Sequence, residues 1–134
     1  SADITEIEFI TTSFDKSEGG TIQARVRFNE PVVVSTSGGT PTLSVTNGNQ
    51  GSGSGRGPHA LAYASGTGTN ELVFSLTIGA ANAATNAGDI LVIGANAVAL
   101  NSGTIKDVAT STTNATITHS SAIGTAAGSI TVAA

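Results

Sequence analysis

His59 and His119 are the side chains best suited to proton transfer near neutral pH. A hydrolytic triad would set one of them between a Ser on a strained turn and a buried carboxylate. No Gly-x-Ser-x-Gly elbow leading into a helix is present, and each His stands at or near the end of a strand-like run. Zinc would need a third ligand at recognisable spacing. With no Cys in the chain, thiolate metal sites, disulfides and cysteine nucleophiles are excluded together. The run Gly51-Ser52-Gly53-Ser54-Gly55-Arg56-Gly57 invites a phosphate-loop reading, but it has no Lys, and Pro58-His59 leads into a strand. It reads as a flexible connection, with Arg56 as a contact for a partner's carboxylate. No enzymatic activity is expected.

Oxygen ligands are the remaining chemistry. Calcium takes six to eight oxygens, several of them from converging carboxylates. Asp15, Glu18 and Glu30 flank one strand and its turn, whereas Asp89 and Asp107 would join only if the fold brought them together. Asp15-Lys16-Ser17-Glu18-Gly19-Gly20 has the polarity of an exposed turn, with a cation in its middle. The expectation is no cofactor and no metal, with those five carboxylates as the calcium candidates.

The elements that would carry these residues are strands. Ile22, Ala24, Val26 and Phe28 alternate with Gln23, Arg25, Arg27 and Asn29, which is the period of a half-buried strand. Leu72, Phe74, Leu76 and Ile78 share one face of a second run. The run Ala60–Ala64 precedes it across Ser65-Gly66-Thr67-Gly68-Thr69-Asn70, a hairpin connection that sets Leu61 against Phe74 and Tyr63 against Leu72. Ile4–Ile10, Val32–Val34, Thr42–Thr46, Ile90–Ile93, Ala115–His119 and Ser129–Val132 complete about eight or nine short runs. Pro31 should break the chain between two of them, since it donates nothing to a ladder. Ala80–Ala84 is the one helix candidate, limited by Gly79 and Gly88. That spacing predicts a sandwich or barrel, formed by a single domain over residues 1–134. Residues 47–58 form its Gly/Ser-rich loop, and residues 120–134 a C-terminal strand or arm.

Charge is scarce. Only 10% of the 134 residues are charged, against about 25% in ordinary soluble domains. A net charge of −4 and a pI near 4.8 leave no basic patch for nucleic acid. No apolar run approaches the roughly 20 residues that span a bilayer. The opening Ser1-Ala2-Asp3-Ile4 lacks the basic-then-apolar pattern of a secretion signal, so either a signal was removed or the chain never had one. Nine of the fourteen charged residues lie in the first thirty, and Ser120–Ala134 holds none. Because interface cores are depleted in charge, the C-terminal half is expected to dock, with Ile130 and Val132 as partner contacts on a last strand.

Four segments come in an informative order: Phe28-Asn29-Glu30-Pro31-Val32-Val33-Val34, Gly39-Thr40-Pro41-Thr42-Leu43-Ser44-Val45, Tyr63 to Phe74, and Gly103-Thr104-Ile105-Lys106-Asp107. Together they resemble the immunoglobulin-like repeat of large bacterial surface proteins, the SwmB-type and adhesin-type repeats. The module is also similar to domains of marine phage structural proteins. The resemblance covers residues 3 to 119 and implies an immunoglobulin-like antiparallel β-sandwich without chemistry of its own. Its setting would be a virion surface, or extracellular at a cell surface. The expected role is a virion decoration protein docking on a capsid, a tail or copies of itself. The alternative is a single adhesin repeat acting as a spacer, cohesion or glycan-binding module.

Overall fold

The alternation over Ile22–Phe28 becomes the central strand of the protein. The computed structural model describes residues 1–48 and 57–134. In chain order the strands are β1 (Ile4–Phe9), β2 (Phe14–Asp15), β3 (Gly20–Phe28), β4 (Val32–Ser35), β5 (Thr42–Asn47) and β6 (His59–Ser65). They continue as β7 (Glu71–Ile78), β8 (Ile90–Val92), β9 (Val98–Ala99), β10 (Thr104–Asp107) and β11 (Ser129–Ala133), with one helix among the described residues, α1 (Ser121–Ala126). Arg56 and the body of the Gly/Ser-rich loop lie outside the described residues. No described helix is long and apolar enough to cross a membrane.

A nine-stranded sheet runs β1-β3-β7-β6-β5-β8-β11-β2, with β9 beside β5. It curls, so that the ring of Phe14 on the last strand comes to lie near Gly20 at the start of β3. β4 and β10 form a separate two-stranded sheet. The change of sheet falls at Pro31, whose missing N–H interrupts ladder pairing there. Ile7, Ile22, Phe28, Leu43, Phe74 and Ile105 are almost wholly buried in one core shared by both sheets. The fold is all-β and sandwich-like.

Several expectations are corrected. The described strands number eleven rather than eight or nine, because β2, β9 and β10 are too short to show a period. The large sheet is mixed, since β11 runs parallel to β2. Tyr63 stands opposite Phe74 and not Leu72, because a bulge before Ser65 shifts the register. Ala115–His119 is no strand; within it Thr116 makes a single bridge to Asp3. The Ala80–Ala84 stretch is a turn, with Ala81 in the left-handed region at φ 57° and the Asn82 side chain accepting the Ala84 N–H at 2.8 Å. The helix stands instead inside the supposed C-terminal arm. Gly124 lets it seat there, since a Cβ at that position would lie 2.3 Å from the Gly94 carbonyl oxygen.

Candidate functional site

Charge is segregated on the outer face of the large sheet. The register sets Glu8 beside Arg25 and Val73, and Glu6 beside Arg27 and Glu71. Arg27 donates to Glu71 Oε1 through Nε at 2.9 Å and Nη2 at 2.6 Å, and its Nη1 lies 3.4 Å from Glu6. Arg25 bonds Glu8 and approaches Glu71 at 3.6 Å. The Glu71 hydrogen bonds, then the charge of Glu6, hold the Arg27 guanidinium above its usual value. All five side chains are partly exposed, so water screens the ladder, which adds little to stability. It does keep β1, β3 and the start of β7 hydrated.

Further along the same face the charges stop. Ala62 neighbours Thr42, Ala60 neighbours Ser44, Thr46 neighbours Val92, and Val92 neighbours Ser129. Ile90, 47% exposed, stands beside Thr131. Strand alternation puts Ser129 and Thr131 outward and sends Ile130 and Val132 inward. Ile130 and Val132 are therefore core residues of their own domain, paired through β8 and β2, and offer no side-chain surface to a partner.

A buried polar cluster ties the strand ends beside the loop. Asn47 takes the inward slot after Leu43 and Val45, and its Nδ2 donates to Asp89 Oδ2 at 2.9 Å. The backbone N–H of Asn86 donates to the same oxygen at 2.9 Å, and His59 Nε2 lies 3.5 Å from Asn47 Nδ2. Burial pushes the His59 imidazole below its usual value, partly offset by the charge of Asp89. An unfolded chain therefore takes up a proton on this His at higher pH than the folded one. The His59 contribution is complete above the unfolded pKa of about 6.5 and is lost as pH falls through it toward the folded value. The urea midpoint should drop over that window, and His59→Gln should flatten that drop.

His119 is spent differently. Ala97 donates its N–H to Nε2 at 2.9 Å, which assigns the proton to Nδ1, 3.0 Å from the Ser120 carbonyl oxygen. Both ring nitrogens thus serve the backbone. The carboxylates are likewise dispersed. Asp15 accepts from Ser17 Oγ at 2.6 Å and Ser17 N–H at 2.8 Å, which holds its carboxyl below the usual range. Glu18 is exposed in that same turn, and Glu30 is half-buried at the β3–β4 corner. Asp107 is buried and accepts the Ala2 N–H at 2.8 Å, far in role from Asp89. Among the described residues no three His, Asp or Glu side chains form a metal-ligand group. An opening of about 470 Å³ is lined by Lys16, Ser17, Ala81, Asn86, Ala87 and Ala134. The Lys16 ammonium donates to the carbonyls of Asn82 at 3.0 Å and Thr85 at 2.6 Å, which makes it a strut for that turn.

Sequence reasoning missed the pairing of Asn47 with Asp89. The available signal was an Asn in the inward slot of an otherwise apolar alternation, since a buried amide requires a partner. No family model, curated protein or solved structure matches the chain.

Proposed function

We propose that this protein is a non-enzymatic structural module of a surface, a virion decoration or other virion-surface component that docks on a protein scaffold. The observation that carries the reading is the segregation of charge over one continuous sheet face. Glu6, Glu8, Arg25, Arg27 and Glu71 hydrate one side, while the Ala, Ser, Thr and Val rows of β6, β5, β8 and β11 hold no charge. Interface cores are depleted in charge in this way. The resemblance in Phe28–Val34 and its companion segments supplies the virion setting. A spacer or cohesion repeat of a bacterial adhesin is the alternative, which tandem copies in the reading frame would favour. Glycan binding has less to work with. All five aromatic rings are buried or half-buried, and Tyr63 packs edge-on against Phe74 while its hydroxyl accepts the Thr67 N–H.

Lysine placed at Ser129, Thr131 or Ala62 should cut occupancy on the parent particle about tenfold or more, because docking would bury an unpaired charge. Gln23→Lys, on the charged side, should leave occupancy unchanged. Asn96 and Asn101, exposed and charge-free, are unsuitable sites. The Asn96 amide accepts the His119 N–H, Asn101 donates to Thr40 and Thr42, and both have φ of 50°. Normal occupancy of all three lysine variants would remove this face from consideration.

A further inference from the structure

Three segments far apart in the chain meet beside the end of β11. The Lys16 N–H donates to the Ala133 carbonyl at 2.9 Å, the Ala81 N–H to the Lys16 carbonyl at 2.8 Å, and the Gly88 N–H to the Val132 carbonyl at 2.8 Å. These bonds fix the walls of the opening of about 470 Å³, whose size is that of a small-molecule pocket. Its lining is mainly apolar, and Lys16 is the one charged side chain in it. An ammonium has three N–H donors, of which the Asn82 and Thr85 carbonyls take two. Among the described residues no carboxylate pairs with it. Asp15 is engaged by Ser17, and neither Glu18 nor Ala134 forms an ion pair with Lys16. The side-chain amide of Asn86, half-buried in the same lining, has no hydrogen bond with a described residue. The buried Thr85 hydroxyl also lacks a partner among them. A half-buried cation without a counterion thus stands beside a free amide and a wall of methyl groups.

We propose that this opening binds a small monocarboxylate with an aliphatic body of a few carbons. The carboxylate accepts from the remaining Lys16 N–H and from the Asn86 amide, hydrogen bonds strengthened by charge on both sides at Lys16. It supplies the counterion that a partly desolvated ammonium otherwise lacks. Ala81, Ala87 and Ala134 cover the aliphatic body and take its surface out of water. A dianion suits the site less, because one ammonium leaves part of its charge uncompensated and Asp15 and Glu18 share the same turn. No aromatic ring lines the opening, so a sugar has nothing to stack on. Lys16 keeps its two carbonyl contacts with the ligand bound, so its role as a strut is unchanged. This inference goes beyond the docking reading and uses none of the residues of the charge-free sheet face.

Titration of the nitrogen-15-labelled protein with butyrate at constant ionic strength, followed by amide chemical shifts, tests it. Butyrate should give saturable shifts at Lys16, Ser17, Ala81, Asn86 and Ala87. Butyramide, which keeps the shape without the charge, should bind about tenfold more weakly or less. Acetate, which lacks the aliphatic body, and inorganic phosphate should also bind more weakly than butyrate. Lys16→Met keeps the apolar stem and removes the ammonium, and should weaken butyrate about tenfold or more. Ala87→Leu leaves Lys16 in place and fills the opening, so it tests the site even if the Lys16 variant loosens the turn. It should abolish the saturable shifts while the melting temperature holds. Shifts that do not saturate, equal binding of butyramide, or butyrate binding unchanged in both variants would each overturn the proposal. Scaffold occupancy, read separately on the lysine variants of the large sheet, would be unaffected by that result.

Discussion

Phe74→Ala is expected to lower stability by about 3–5 kcal/mol. The ring is fully buried at the centre of the β3–β7–β6 ladder. Its neighbour on β3 is Ala24, too small to collapse into the space. On β6 it meets Tyr63 edge-on, with ring centroids 6.2 Å apart and planes at 77°. Removing it forfeits both the buried area and that contact, which belongs to the favourable T-shaped class. For a chain of this length the melting temperature should fall by on the order of 10–20 °C. Phe74→Leu should recover most of the loss. A change below about 1 kcal/mol in urea unfolding would show that this position is not in a packed core.

Ending the chain after Ser121 should abolish the cooperative melt altogether. The cut removes α1 and β11, and with them Ile130 opposite Leu91 and Val132 opposite Phe14. Each lost aliphatic side chain forfeits about 1.5–3 kcal/mol of burial. The backbone loses as much again in organisation. Val132 donates its N–H to the Asp89 carbonyl and accepts from Gly88, while Ala133 accepts from Lys16. Without β11, Leu91 and Phe14 face water and β2 has no strand to pair with. Against a total stability of about 5–15 kcal/mol, little remains. Ile130→Ala alone should cost about 2–5 kcal/mol and gives the gentler version of the experiment. A truncated chain that melts like the full one would mean that β11 serves a neighbour and not its own domain.

Much of the fold was legible because strand alternation is local. Ile22, Ala24, Val26 and Phe28 declare an inward face wherever the strand ends up, and all four are buried. The same logic found Leu72 and Phe74, while the missing N–H of Pro31 marked a strand break that only the tertiary structure turns into a change of sheet. It failed at Ala115–His119 and Ala80–Ala84. There the backbone is set by contacts from afar: Thr116 by the start of β1, and the Asn82–Thr85 turn by the Lys16 ammonium. Short strands such as β2 and β9 show no period at two residues and exist only because a longer neighbour pairs with them.

The functional surface divides along the same line. Sequence alone established an all-β chain with few charges, most of them early, and too few aromatic or ligand-forming residues for obvious chemistry. It read Ile130 and Val132 as partner contacts because a charge-free terminal strand has no visible destination in one dimension. Tertiary structure decided that destination: an antiparallel seam with β8 and a parallel one with β2, which turns both side chains into the core. It also put Asn47 against Asp89 and aligned Glu6, Arg27 and Glu71 in one row. The reason is physical. Which way a side chain points within a strand follows from the pleat, residue by residue, whereas which strand lies beside it depends on the loops, bulges and sheet curl of the whole chain.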